Sequence, residues 1–159
     1  MINRLIGISL LAAWSARALD LWIPLFSGGL SVSLAVQLDY MRAWGASQAE
    51  LDAAAGDQSS RVYLYSALCI GGIALCALGL WARSRTQSRT LFVLAASMYL
   101  VVWLLQDSFR SIGVFDAMIL KMKLASTTAT MTHFVLFDIA FPILCLGGIL
   151  LLFRPLRPR

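Results

Sequence analysis

The chain has 159 residues, of which 60% are hydrophobic and only 13% charged, and its mean hydropathy is +0.79. Water-soluble domains average about 25% charged residues, so a soluble globular domain is excluded, and a disordered tail with it. Three scattered cysteines exclude a disulfide scaffold. The net charge of +5 calls for no nucleic-acid partner once its placement along the chain is read. The composition is that of a single-domain integral membrane protein, expected to be all-α with four transmembrane helices in a bundle.

A membrane-crossing helix needs about 20 mostly apolar residues, because the hydrocarbon core is about 30 Å thick and a helix rises about 1.5 Å per residue. Segments 5–25, 62–82, 91–109 and 134–153 meet that requirement. The first follows Met-Ile-Asn-Arg and contains Ala16-Arg17-Ala18, which resembles the cleavage site of a signal peptide; the expectation is that it is retained as the first span. The second carries no charge until Arg83. The third is apolar from Leu91 to Leu105 and takes in Gln106 to Phe109 to complete its length. The fourth is interrupted only by Asp138 and by Pro142, whose missing N–H predicts a kink.

Charge placement orients these spans. Arg4, the connection 83–90 with Arg83, Arg85 and Arg89, and the tail 154–159 with Arg154, Arg157 and Arg159 fall on one side with no acid among them. All eight acidic residues lie towards the other side. The positive-inside rule then puts both termini in the cytoplasm and leaves 26–61 and 110–133 as external loops, as in a bacterial inner-membrane protein. Basic side chains at that face also suit anionic lipid headgroups.

The external loops carry structure signals of their own. Leu30, Val32, Leu34, Val36 and Leu38 alternate with smaller or polar residues after the Gly28-Gly29 turn, a period of two that predicts a strand over 30–38. Ser47-Gln48-Ala49-Glu50 reads as a capping box opening a short helix that stops at Gly56. Ile112, Phe115, Met118, Ile119 and Met122 fall at helical spacing, with Asp116, Lys121 and Lys123 on the other face. This predicts an interfacial amphipathic helix over 112–124. The Thr-rich stretch 126–132 has β-branched alternation and could pair with 30–38 as a two-stranded element.

Ionisable residues inside or at the ends of spans are costly and are functional candidates by default. Arg17 and Asp20, three apart, share a helix face and can pair. Gln106 and Asp107 end the third span, His133 begins the fourth, and Asp138 lies about one turn inside it among Phe137, Ile139 and Phe141. These six side chains occur at similar depth towards the external side and could form a polar site there. Within the chain, Asp138 has Arg17, Arg110 or His133 as candidate partners. A single histidine and no Cys-x-x-Cys argue against a metal or haem site, and no nucleotide-binding loop or catalytic triad spacing is present. No catalytic or metal-ligating residue is therefore assigned, and no cofactor is expected beyond a bound lipid or quinone.

Small residues complete the reading. Gly72, Cys76 and Gly79 make one stripe on the second span, and Gly147-Gly148 open the surface of the fourth, which lets helices approach closely. Cys69 and Cys76, seven apart, are too distant along one helix to form a disulfide.

The expected function is a non-catalytic accessory or structural subunit of a larger inner-membrane complex, with membrane lipids and other membrane subunits as partners. The alternatives are a small oligomeric transporter or channel using Asp138 and the polar cluster, and a quinone- or lipid-handling membrane enzyme component.

Overall fold

The structure is a computed structural model and describes residues 2–27, 38–39, 41–43, 45–105 and 113–153. All regular structure among the described residues is helical, in the order α1 (Ile2–Ser27), α2 (Gln48–Trp81), α3 (Arg85–Leu104), α4 (Val114–Leu124), α5 (Thr128–His133), a π-helical segment (Phe134–Ala140) and α6 (Phe141–Phe153). Four stretches are long and apolar enough to cross a membrane: Ile2–Ile23, Val62–Trp81, Arg85–Leu104 and Thr128–Phe153. The chain is thus built as a multi-pass membrane protein. Chain direction puts the α2–α3 connection at one end of the bundle, with the starts of α1 and the finish of α6. The finish of α1, the start of the second span, the finish of α3 and α4–α5 lie at the other, called here the long-loop end.

The core is made where one stripe of each span turns inward. Leu10, Ala13, Trp14 and Ala18 of α1 meet Cys69 and Cys76 of α2, Phe92, Ala95, Ala96 and Tyr99 of α3, and Cys145 and Leu152 of α6. The spacings of three, four and seven residues are those of a single helical face. Outward-facing leucines, isoleucines and aromatics such as Trp81 and Phe153 suit hydrocarbon, where an apolar exterior has no cost. Bulky rings are accommodated by glycines. A methyl group at Gly72 would overlap the buried Trp14 indole, and one at Gly79 would stand 2.5 Å from the Phe92 ring. Phe92 also presses on Gly7. Trp14 Nε1 donates to the carbonyl of Ala95 at 3.2 Å, which ties α1 to α3 within the core.

Several sequence expectations need correction. Helix α2 does not stop at Gly56 but runs through it for 34 residues. An interior glycine costs a helix only about 1 kcal/mol, and the alanines before it and the apolar span after it outweigh that. Its expected start is correct: Ser47 Oγ accepts from the Glu50 N–H, and Ser47 N–H donates to Glu50 Oε2 at 2.7 Å. The stretch 126–132 is not a strand. Thr127 Oγ1 accepts from Thr130 N–H at 3.2 Å while Thr127 N–H donates to Thr130 Oγ1 at 3.1 Å, a reciprocal cap that starts α5. Of the partner strand 30–38, residues 30–37 lie outside the described residues, and Leu38 is helical and packs on Leu51 of α2.

The fourth span adjusts its winding around Pro142. Pro142 has no N–H for the carbonyl of Asp138, and its ring would crowd that carbonyl in a regular helix. The chain widens just before it into the π segment, in which Phe141 N–H reaches back five residues to the Leu136 carbonyl.

Candidate functional site

The site lies at the long-loop end, where α1, α3, α4, α5 and the π segment meet. It is assembled from residues far apart in sequence: Arg17 and Asp20, Tyr99, Lys121, His133, Phe137 and Asp138. The π segment does much of the positioning. Widening the helix turns His133, Phe134, Phe137 and Asp138 inward together, and π segments of this kind recur at functional sites.

Asp138 is 4% exposed and pairs with Lys121, which is 8% exposed. Lys121 Nζ donates to Asp138 Oδ1 at 2.9 Å. This corrects two expectations. The partner is Lys121 rather than Arg17 or His133, Arg110 lying outside the described residues, and Lys121 is buried rather than on an outward polar face. In α4, Ala117 and Lys121 form the edge that faces the bundle, while Phe115, Ile119 and Met122 face outward. A four-carbon lysine stem packs on apolar surface and carries its ammonium to the carboxylate. Burial pushes the Lys121 ammonium below the usual lysine range, Asp138 pulls it back up by charge and hydrogen bonding, and Arg17 adds a smaller push downward.

Asp20 pairs with His133 rather than with Arg17. His133 Nε2 stands 3.4 Å from Asp20 Oδ2, and both side chains are nearly buried. The contact has ion-pair distance without hydrogen-bond alignment, so Nε2 has no hydrogen-bond partner among the described residues. The imidazole stacks on Phe137, with ring centroids 4.6 Å apart.

Arg17 lies between two rings. Its guanidinium carbon is 5.4 Å from the Phe137 centroid and 6.0 Å from the Tyr99 centroid, within the range of a cation–π contact. Tyr99 in turn sits edge-on to Trp14 and Phe141, and its buried Oη has no hydrogen-bond partner among the described residues. A continuous run of rings, Trp14–Tyr99–Phe141–Phe137–His133, therefore leads from the apolar core to the polar end.

The structure brings together four of the six polar residues singled out in the sequence: Arg17, Asp20, His133 and Asp138. Gln106 and Asp107 lie outside the described residues. Sequence reasoning missed Lys121 and Tyr99. An intramembrane carboxylate calls for a cation, but the spacing of α4 does not single out Lys121 from Lys123. Among the described residues, no three His, Cys, Asp or Glu side chains are grouped to hold a metal, and the three cysteines are free and buried.

The small residues lie elsewhere in the bundle. Gly72 and Gly79 seat Trp14 and Phe92, Cys76 is fully buried, and Gly148 sits close against Ile6, where an added methyl group would stand a tight 3.2 Å from that side chain. Gly147 has open space beside it among the described residues. One turn of helix cannot point two adjacent residues at the same partner. Chemically, the cluster holds two cations, two carboxylates and one imidazole in a mostly apolar surround, so its charges balance when the imidazole is neutral. Comparison with protein-family models, with curated protein sequences and with solved structures finds no match to this chain.

Proposed function

We propose that this chain is a non-catalytic subunit of a larger membrane-protein complex, contributing helix packing within the bilayer and a contact surface at its long-loop end. One observation carries this reading: every charged side chain of the site is engaged inside the chain. Lys121 neutralises Asp138 at 2.9 Å, His133 faces Asp20 at 3.4 Å, and Arg17 rests on two rings. Groups used in this way fasten helices to one another. Here they tie α4 to the π segment and α5 to α1, which gives the long-loop end a defined shape to offer a partner.

The sorting of charge supports an orientation for that surface. Arginines with no acid among them mark the side of the termini and the 83–90 connection as cytoplasmic, so the long-loop end faces outward from a bacterial inner membrane. The transport and channel reading, which would use Asp138 as a carrier, is weaker on the same observation, because the carboxylate already has a cation against it. A quinone- or lipid-handling role has Tyr99 Oη in its favour as a buried donor without an acceptor among the described residues.

Purification of the full chain in mild detergent, followed by native mass spectrometry, tests the proposal. Recovery in stoichiometric amounts with other membrane subunits is expected. Recovery as a lone homo-oligomer would overturn the subunit reading in favour of the transporter.

A further inference from the structure

Asp20 is a nearly buried carboxylate whose ion-pair partner among the described residues is an imidazole, not a permanent cation. Arg17 is only three residues away, yet it lies over the rings of Tyr99 and Phe137. His133 Nε2 stands 3.4 Å from that carboxylate with no hydrogen bond made among the described residues. A neutral imidazole has one N–H and one lone pair. With the lone pair at Nε2, two acceptors face each other; with the hydrogen there, the donor is poorly aligned. Protonation makes both nitrogens donors and places a positive charge beside the carboxylate, and a charge-assisted hydrogen bond is shorter and about twice as strong as a neutral one.

We propose that His133 and Asp20 form a buried proton-binding site that fastens α5 to α1 when it is occupied. The imidazole takes up one proton from the aqueous side; no bond between heavy atoms is made or broken, and the cluster gains one positive charge. The proton is the ligand that suits this place, because it needs no cavity and the two atoms that would share it are already within ion-pair distance.

The surrounding groups set how readily the site fills. Asp20 of α1 and Asp138 of the π segment favour the charged imidazole. Arg17 of α1 and Lys121 of α4 oppose it. Tyr99 of α3 and Cys69 of α2 are buried and uncharged at neutral pH. Apart from Asp20, these groups sum to one positive charge, and Asp20 at 3.4 Å is the charge set against it. This inference goes beyond the subunit role, which stands whether or not the site binds a proton.

The chain contains one histidine, so its imidazole can be observed alone. Full-length protein carrying ring-labelled histidine and a histidine-free affinity tag is reconstituted in lipid nanodiscs and followed by nuclear magnetic resonance from pH 5 to 8, the range in which histidine charge ordinarily changes. The ring is expected to pass reversibly between neutral and doubly protonated forms. Asp20→Asn should lower its proton affinity by about ten-fold or more, as expected for loss of an opposite charge at this distance, and Asp20→Glu should retain it. Where Asp20→Asn does not accumulate, Arg17→Gln gives the opposite expectation, a rise in proton affinity. Amide exchange of residues 125–133, corrected for its intrinsic pH dependence, should slow as the ring becomes charged and should lose this response in His133→Gln. An imidazole that keeps one form throughout, a titration indifferent to these substitutions, or exchange that ignores the ring's charge would each overturn the proposal.

Discussion

An ammonium and a carboxylate removed from water each cost several kcal/mol, and their attraction repays that only with good geometry. Lys121 and Asp138 meet at 2.9 Å, so breaking the pair from one side leaves the other charge buried and unmatched. Asp138→Asn or Lys121→Met alone is expected to destabilise the fold by about 3–5 kcal/mol. The double variant Lys121→Met with Asp138→Leu should recover most of the loss in an unfolding cycle in detergent, and additive losses would mean that the two residues do not act as a pair. Glycines give a second residue-scale test. Gly72→Ala and Gly79→Ala force a methyl group into rigid buried rings and should cost about 1–3 kcal/mol each, read as a lower thermal transition. Gly147→Ala, with open space beside it, should fall within about 0.5 kcal/mol of the parent. At this scale Asp138 was legible, because a lone carboxylate in an apolar run is conspicuous. Lys121 was not, because helical spacing grouped it with Asp116 and Lys123 as a polar face, and nothing in that spacing tells which edge of α4 meets the bundle. Tyr99 was hidden for a different reason: in an apolar span a tyrosine is an ordinary ring until its hydroxyl is found buried.

Elements were legible where their signals are local. The Ser47–Glu50 box marks the start of α2 in the sequence and forms as read, and the four apolar runs become four membrane-length helices. Signals that compete were misread. Gly56 is a common helix stop but a weak one when the apolar span at 62 continues the helix. Thr127 and Thr130 are β-branched and favour strands, yet each caps the other and starts α5. Thr127→Ala removes this cap and should cost about 1 kcal/mol, seen as faster amide exchange in residues 128–131. The α2 box has a pH dependence with a definite sign. Hydrogen bonds from Ser47, backbone first and then hydroxyl, hold the Glu50 carboxyl below its usual 4.5. Folding with this cap thus favours the charged form, so its contribution is complete above pH 4.5 and is lost as pH falls below it. Protection of the first turn of α2 should be present at pH 6 and decline as pH falls below 4.5, whereas Glu50→Gln should show little change.

At the scale of the whole molecule, four spans and a polar end make one object. Helix α2 is 34 residues long, about 50 Å at 1.5 Å per residue. It therefore exceeds the hydrocarbon thickness of about 30 Å and carries its first turns beyond the span that begins at Val62. Helices α4 and α5 are held at the same end by the buried pairs. The sequence conveyed the bundle because membrane spans are long and compositionally distinct. The convergence of Arg17, Asp20, His133 and Asp138 was beyond it, since lateral packing order depends on which helix faces which. In the proposed reading, those pairs matter because they shape the surface that a partner subunit recognises. The most direct test compares native complexes recovered with the wild-type chain and with Asp138→Asn, each checked for membrane insertion. The account predicts that the wild type carries stoichiometric partner subunits and that Asp138→Asn inserts but loses them. Partners retained in full by Asp138→Asn, or a wild-type chain isolated only with copies of itself, would contradict it.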